Sequence, residues 1–188
     1  TLVGSGADIA QKVVQQNDGK LVVTGYTTIA APSDRAVATV RYNTNGSLDT
    51  TFNGTGIVTT DFGTSDDEGK SVAVQSDGKI VVAGFGGSTR HALLLRYNTD
   101  GSPDPTFNGT GQLVTTGNSS TAYGLSLQED GKILVARGSA NYFLVLRCNP
   151  NGTLDSSFND TGMVTSDIGP GNDIATNLAV QSDGRVVL

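Results

Sequence analysis

Three loops in this chain carry oxygen-bearing side chains at every second position: Asn43-x-Asn45-Gly46-Ser47-x-Asp49, Asn98-x-Asp100-Gly101-Ser102-x-Asp104 and Asn149-x-Asn151-Gly152-Thr153-x-Asp155. Calcium loops use that spacing to turn alternate oxygens toward one centre, but they also need several carboxylates and a closing bidentate Glu. Each loop here holds one or two carboxylates, and no Glu follows at that distance. A turn stabilised by its own Asn, Asp and Ser side chains is the better reading. Asp49, Asp104 and Asp155 stand three residues before Phe52, Phe107 and Phe158. They could form a ligand site repeated once per unit. The simpler expectation is a turn carboxylate accepting backbone N–H groups, with the Phe packed between units.

The remaining reactive residues assemble no catalytic set. His91, the only histidine, is expected on the surface in a loop beside Arg90, without a second His or a nearby nucleophile. Cys148, the only cysteine, excludes an internal disulfide and any cysteine-based zinc site, and is read as a small buried hydrophobe. No Gly-x-Ser-x-Gly or Ser-x-x-Lys motif occurs. Gly84-Phe85-Gly86-Gly87 lacks the following helix that a phosphate cradle requires. The sequence therefore nominates no catalytic, cofactor-binding or metal-binding residue and no cofactor. Six Asn-x-Ser/Thr triplets, at Asn45, Asn53, Asn108, Asn118, Asn151 and Asn159, are read mainly as turn chemistry and as exposed acceptor positions if the source glycosylates.

The elements that would position these residues recur. An Asp-Gly pair followed by a basic residue and an apolar run appears at Asp18-Gly19-Lys20, Asp77-Gly78-Lys79, Asp130-Gly131-Lys132 and Asp183-Gly184-Arg185, at intervals of 59, 53 and 53 residues. A period of this size marks solenoids, propellers or arrays. In the second unit, Ser71-Val72-Ala73-Val74-Gln75 and Lys79-Ile80-Val81-Val82-Ala83-Gly84 read as two strands joined at Asp77-Gly78, with a type I′ turn expected. Ala92-Leu93-Leu94-Leu95-Arg96-Tyr97 is a third strand, and Gln112-Leu113-Val114-Thr115-Thr116 a more polar outer one. The first unit repeats this with strands at 20–24, 37–42 and 57–61, and the third at 132–136, 143–147 and 163–166. Continuously apolar runs such as Leu93-Leu94-Leu95 belong to strands covered on both faces. Four-stranded sheets packed face to face in radial order meet that condition, so an all-β propeller of about fifteen strands is expected, with almost no helix. The pairs Val22-Val23, Val81-Val82 and Leu134-Val135 should be the most buried.

The words of the repeat are similar to the delta-60 repeat: Val72-Ala73-Val74-Gln75-Ser76-Asp77-Gly78-Lys79-Ile80-Val81-Val82-Ala83-Gly84, then Arg96-Tyr97-Asn98-Thr99-Asp100-Gly101-Ser102, then Phe107-Asn108-Gly109-Thr110-Gly111. The resemblance covers essentially the whole chain. It implies propeller-forming tandem units of a large secreted or surface protein of bacteria, and it brings no catalytic residues with it. The third copy departs from the pattern: Arg137 stands where the others have Gly25 and Gly84, Cys148 where they have Tyr42 and Tyr97, and Asp160 where they have Gly54 and Gly109.

Charge and composition bound the partners. Twelve basic against 18 acidic residues give a net charge of −6, which argues against nucleic acid or an anionic membrane surface. No apolar stretch approaches the roughly 20 residues of a membrane helix. Only 16% of residues are charged and Trp is absent, as in secreted β-repeat proteins, so an extracellular or cell-surface location is expected.

The units are expected as follows: residues 1–7 an outer strand of a preceding blade, 8–66 blade 1, 67–119 blade 2, 120–172 blade 3, and 173–188 the first two strands of a fourth. The chain opens at Thr1 without an initiator Met, as a mature or excised piece would. Closed propellers have about four to eight blades, so completion by further repeats or by identical subunits, in a ring or fibre, is expected. The leading functional expectation is a non-enzymatic structural or adhesive module of a bacterial extracellular or surface protein, a fibre-forming subunit completed by its neighbours being one form of it. The alternative is a propeller that binds glycan or peptide on one rim, through the loops at 27–35, 86–91 and 138–141. Those loops are poor in aromatics, though Tyr142 borders one.

Overall fold

The computed structural model describes residues 1–30, 34–63, 66–115, 121–138, 142–171 and 173–188. The described residues contain fourteen strands and no helix. The first blade comprises β1 (Asp8–Gln15), β2 (Leu21–Ala30), β3 (Asp34–Tyr42) and β4 (Ile57–Thr60). The second comprises β5 (Glu68–Val74), β6 (Ile80–Gly86), β7 (His91–Tyr97) and β8 (Gln112–Val114). The third comprises β9 (Thr121–Leu127), β10 (Ile133–Gly138), β11 (Phe143–Cys148) and β12 (Met163–Ser166). The hairpin β13 (Ala179–Val180) and β14 (Val186–Val187) follows. Each blade is a four-stranded antiparallel meander in chain order. The expected all-β propeller architecture is present, with three complete blades. Thr116 of the expected outer strand, Asn118, and residues 31–33 and 139–141 of the expected variable loops lie outside the described residues.

Apolar residues on both faces of a strand explain how the blades stack. Val81, Ala83, Leu94 and Phe107 of the second blade pack with Ile133, Val135 and Leu146 of the third. The alternate residues Ile80, Val82, Leu93 and Leu95 pack with Val22, Val37 and Phe52 of the first. Leu134, Ala136 and Val145 in turn meet Ala175 and Leu178. The core is therefore a series of layers between sheets. Burial of β6, whose seven residues are all buried, follows from its place between two neighbouring sheets. Val22, Val81, Val82, Leu134 and Val135 are at most 1% exposed, as expected, but Val23 is only half-buried. It lies on the face of the first blade that no other blade covers among the described residues. For the same reason Val13 is 54% exposed while Val72, its counterpart one repeat later, is 4% exposed.

The Asp-Gly hairpins correct the expected turn. Gln75 N–H donates to the Lys79 carbonyl (2.8 Å), and Gly78 N–H donates to the Gln75 carbonyl (2.9 Å). The loop is thus three residues long, a type I turn followed by glycine at φ 83°, rather than a two-residue type I′ turn. Asp77 has no positive φ; its Oδ1 accepts the Lys79 N–H at 3.1 Å. Gly78→Val is expected to destabilise by about 1–3 kcal/mol, because a β-branched residue resists the left-handed region. A Cβ there would also meet the Thr99 methyl at 3.0 Å. Chemical denaturation compares the two proteins directly, and an unchanged midpoint would contradict the turn geometry.

The departures in the third copy leave the blade intact. A bulge interrupts the pairing of the first two strands between Ala10 and Lys12, between Gly69 and Ser71, and opposite Ala136 and Arg137. At the glycine position beside it, a Cβ on Gly84 would lie 1.9 Å from the Glu68 carbonyl oxygen. Arg137 occupies this register in the third blade, pairs with Ala122 and is 5% exposed. Burial lowers the pKa of its guanidinium. Asp160 adopts φ 58°, close to the 74° and 79° of Gly54 and Gly109, so the turn keeps its shape at some conformational cost. Cys148 is fully buried, and burial pushes its thiol up to about 12. His91 departs from expectation: it is the first residue of β7 and is half-buried, with Nε2 2.5 Å from the Thr89 hydroxyl.

Candidate functional site: a charged network repeated in each blade

The turn carboxylates sit at the bottom of a network built from three segments of each blade. Asp104 follows the exit of β7, Arg96 is the penultimate residue of that strand, and Lys79 follows the Asp-Gly turn. Arg96 Nε is 2.7 Å from Asp104 Oδ2, and Lys79 Nζ lies 3.0 Å from the same oxygen. The other oxygen accepts the Thr106 N–H (3.0 Å) and hydroxyl (2.8 Å). That Thr106 hydroxyl accepts from Arg96 Nη2 (2.9 Å). The guanidinium lies over the Phe107 ring, 4.7 Å from its centre.

The other two blades repeat the arrangement. Arg41 and Lys20 approach Asp49 at 2.6 and 2.9 Å, and Arg147 and Lys132 approach Asp155 at 2.7 and 3.3 Å. Thr51 and Ser157 supply the N–H and hydroxyl donors. The expected backbone-bonded turn carboxylate is present, and it is also an ion-pair centre. Sequence reasoning missed that part. Its signal was a constant separation of eight residues between Arg41 and Asp49, Arg96 and Asp104, and Arg147 and Asp155.

The network also joins blades. Arg41 Nη1 donates to the Thr99 carbonyl (2.6 Å) of the second blade, and Arg96 Nη1 donates to the Pro150 carbonyl of the third. Beside them, Asn53 N–H donates to the Asp100 carbonyl (2.6 Å) and Asn108 N–H to the Asn151 carbonyl (2.7 Å). Phe52 and Phe107 are fully buried at these junctions. Each lies against a turn glycine of the next blade, Gly101 or Gly152, where a Cβ would come within 2.9 and 2.8 Å of the ring.

The chemistry of each carboxylate is absorbed by these contacts. Burial raises the Asp104 carboxyl, but the Thr106 hydroxyl, Lys79, the Thr106 N–H and Arg96 outweigh it and hold the group down to about 2. The Asp49 carboxyl is lowered against burial by Thr51, Lys20 and Arg41, and that of Asp155 is lowered first by the Ser157 hydroxyl. A carboxylate with both oxygens filled by donors has no lone pair directed at a substrate or cation. The alternating loop oxygens are similarly engaged. Asn98 Nδ2 donates to the Ser102 hydroxyl (2.9 Å), and Asp100 Oδ1 accepts the Ser102 N–H (2.9 Å). Asn53, Asn108 and Asn159 donate their side-chain amides to the carbonyls of Ile57, Gln112 and Met163.

A second recurrent carboxylate escaped the sequence reading. Asp8, Asp67 and Asp173 each stand eleven residues before the turn glycine, and each accepts the N–H five residues earlier, from Val3 (2.8 Å), Phe62 (2.6 Å) and Ile168 (2.9 Å). Ser120 holds the equivalent position in the third repeat and lies outside the described residues. Asp8 is lowered, chiefly by the Thr27 hydroxyl. Asp67 is raised to about 6, first by burial and then by Asp61 and Asp34, against the donors Phe62 N–H and Gly87 N–H. A carbon-detected NMR titration should therefore find the Asp67 midpoint near 6. A midpoint at the ordinary value of about 4 would mean that the two backbone donors dominate. Because the folded pKa is the higher one, this group stabilises fully below its unfolded pKa, and that contribution fades as pH rises through about 6.

Stacked four-stranded meanders with layered cores define a β-propeller repeat protein. Residues 16–52, 75–107 and 128–158 match the family described as a domain of unknown function (DUF5122) beta-propeller. The chain belongs to that family, in agreement with its delta-60 type of repeat. No curated protein matches it.

Proposed function

We propose that the chain is a non-enzymatic structural or adhesive module of a bacterial extracellular or surface protein, assembled with neighbouring repeats or subunits into a larger body such as a fibre. The observation that carries this reading is the use of the recurrent charged residues. Arg41 and Arg96 hold a carboxylate in their own blade and a carbonyl of the next, so the repeated chemistry serves cohesion between units. The low content of charged residues, 16%, and the acidic balance fit an exposed scaffold outside the cell. Glycan-array and pull-down screens of the purified chain, run beside a hydrolase panel, test the reading. Turnover of any substrate would overturn it.

One feature favours the glycan- or peptide-binding alternative. A cleft of about 390 Å³ runs between the first two Asp-Gly turns, lined by Gln16, Lys20, Arg41, Gln75, Asp77 and Thr99 among others. A selective glycan hit lost on altering Gln16 and Gln75 would favour that alternative.

A further inference from the structure

The junctions between blades consist of a socket and a plug. The socket is the guanidinium Nη1, the Phe ring and the N–H of the Asn that follows it. The plug is the Asn-x-Asx-Gly turn of the next blade, which offers two carbonyls and a glycine flat enough to lie against the ring. The first blade's socket (Arg41, Phe52, Asn53) holds the turn at Thr99, Asp100 and Gly101. The second blade's socket (Arg96, Phe107, Asn108) holds the turn at Pro150, Asn151 and Gly152. The third blade presents the same groups in Arg147, Phe158 and Asn159, with Arg147 Nε and Nη2 held by Asp155 and Ser157. This socket is more open. The Arg147 side chain is 19% exposed against 6% for Arg41 and Arg96, and Phe158 is half-buried where Phe52 and Phe107 are fully buried.

We propose that Arg147, Phe158 and the Asn159 N–H form a docking site for a strand and turn of this same repeat, an apolar strand followed by Asn-x-Asx-Gly. The inference rests on the scaffold reading and names the surface through which the scaffold extends. Continuity with the two internal junctions supports it, and so does the neighbouring sheet edge. In each complete blade the second strand pairs with a third, as β6 does with β7, and that third strand leads directly into the turn. Among the described residues β14 pairs with β13 only, so its other edge can take such a strand and aim the turn into the socket. The exposed Asn43-x-Asn45-Gly46 turn of a second copy is a poorer occupant. That copy would have to bring its own β1 and β2 into the space that β13 and β14 hold.

The test uses the intact chain and a synthetic peptide with the sequence of residues 91–115, which contains a third strand, its turn and an outer strand. Calorimetry is expected to give saturable one-to-one binding. A peptide carrying Gly101→Val should bind at least about tenfold more weakly, since the added side chain meets the socket ring. Arg147→Lys in the protein should weaken binding similarly, because lysine retains the charge beside Asp155 and lacks the second fork nitrogen. The peptide variant leaves the protein untouched, so the result stands even if Arg147→Lys folds poorly. Absence of saturable binding, or equal binding of the Gly101→Val peptide, overturns the proposal. Self-association of the chain that disappears in Gly46→Val overturns it in favour of a second copy. A glycan hit would challenge the scaffold reading and leave the peptide result as it stands.

Discussion

Val82→Asp is expected to abolish cooperative folding. Val82 is inaccessible in the middle of β6, and it packs in the layer that joins the first two blades. A carboxylate there would lose its hydration without gaining a partner, at a cost of several kcal/mol after relaxation, comparable with the roughly 5–15 kcal/mol total stability of an ordinary domain. The loss of apolar burial adds to it. Val23→Asp tests the same register one repeat earlier. Val23 is half-buried on the uncovered face of the first blade, so its carboxylate keeps part of its hydration and the variant should fold with a smaller loss. Thermal unfolding by circular dichroism decides the matter. A Val82→Asp protein melting within about 5 °C of the parent would refute the placement of this strand between two sheets.

Asp104→Ala should produce the second largest effect, about 3–5 kcal/mol, because it strands Arg96, which is 5% exposed, beside an unpaired Thr106 N–H. For a chain of this length that corresponds to a fall of roughly 6–20 °C in Tm. Asp104→Asn, which retains an acceptor oxygen, should lose less. The same network predicts the acid limb of stability. The folded pKa of Asp104, about 2, is below its unfolded value of 3.8. Protons therefore bind the unfolded chain more readily, and the stabilisation, fully present above the unfolded value, is lost as pH falls through about 2. Asp49 and Asp155 shift in the same direction and steepen the loss. In Asp104→Ala this dependence should be shallower. An identical acid midpoint and slope in the two proteins would show that the ion-paired carboxylates do not set the limb.

The repeat itself determined the architecture. Unbroken runs such as Leu93-Leu94-Leu95 can be satisfied only where both faces of a sheet are covered, and the Asp-Gly pairs mark where strands reverse. The order of strands, the layered core and the burial of Val81, Leu134 and Cys148 follow from those two facts. The turn type did not: Asp-Gly fits either hairpin, and the Gln75–Lys79 pairing adds the third loop residue that selects the type I form.

The burial of individual members of the pattern required the tertiary structure, because it depends on which neighbour a blade has. Val23 and Val82 are the same letter in the same register and differ only in what covers them. The charged network was half legible. Asp104 was recognisable as a turn carboxylate from the local Asn-x-Asp-Gly-Ser-x-Asp spacing, since turns are made of near neighbours. Its ion pairs with Arg96 and Lys79 span 8 and 25 residues and form only when strand exit and hairpin turn meet at one corner of the sheet. The contact of Arg96 with the Pro150 carbonyl spans 54 residues and requires a second blade in place. Periodicity in a sequence fixes the unit and its fold. The junction between units is fixed by distances across the stack, which no local spacing records.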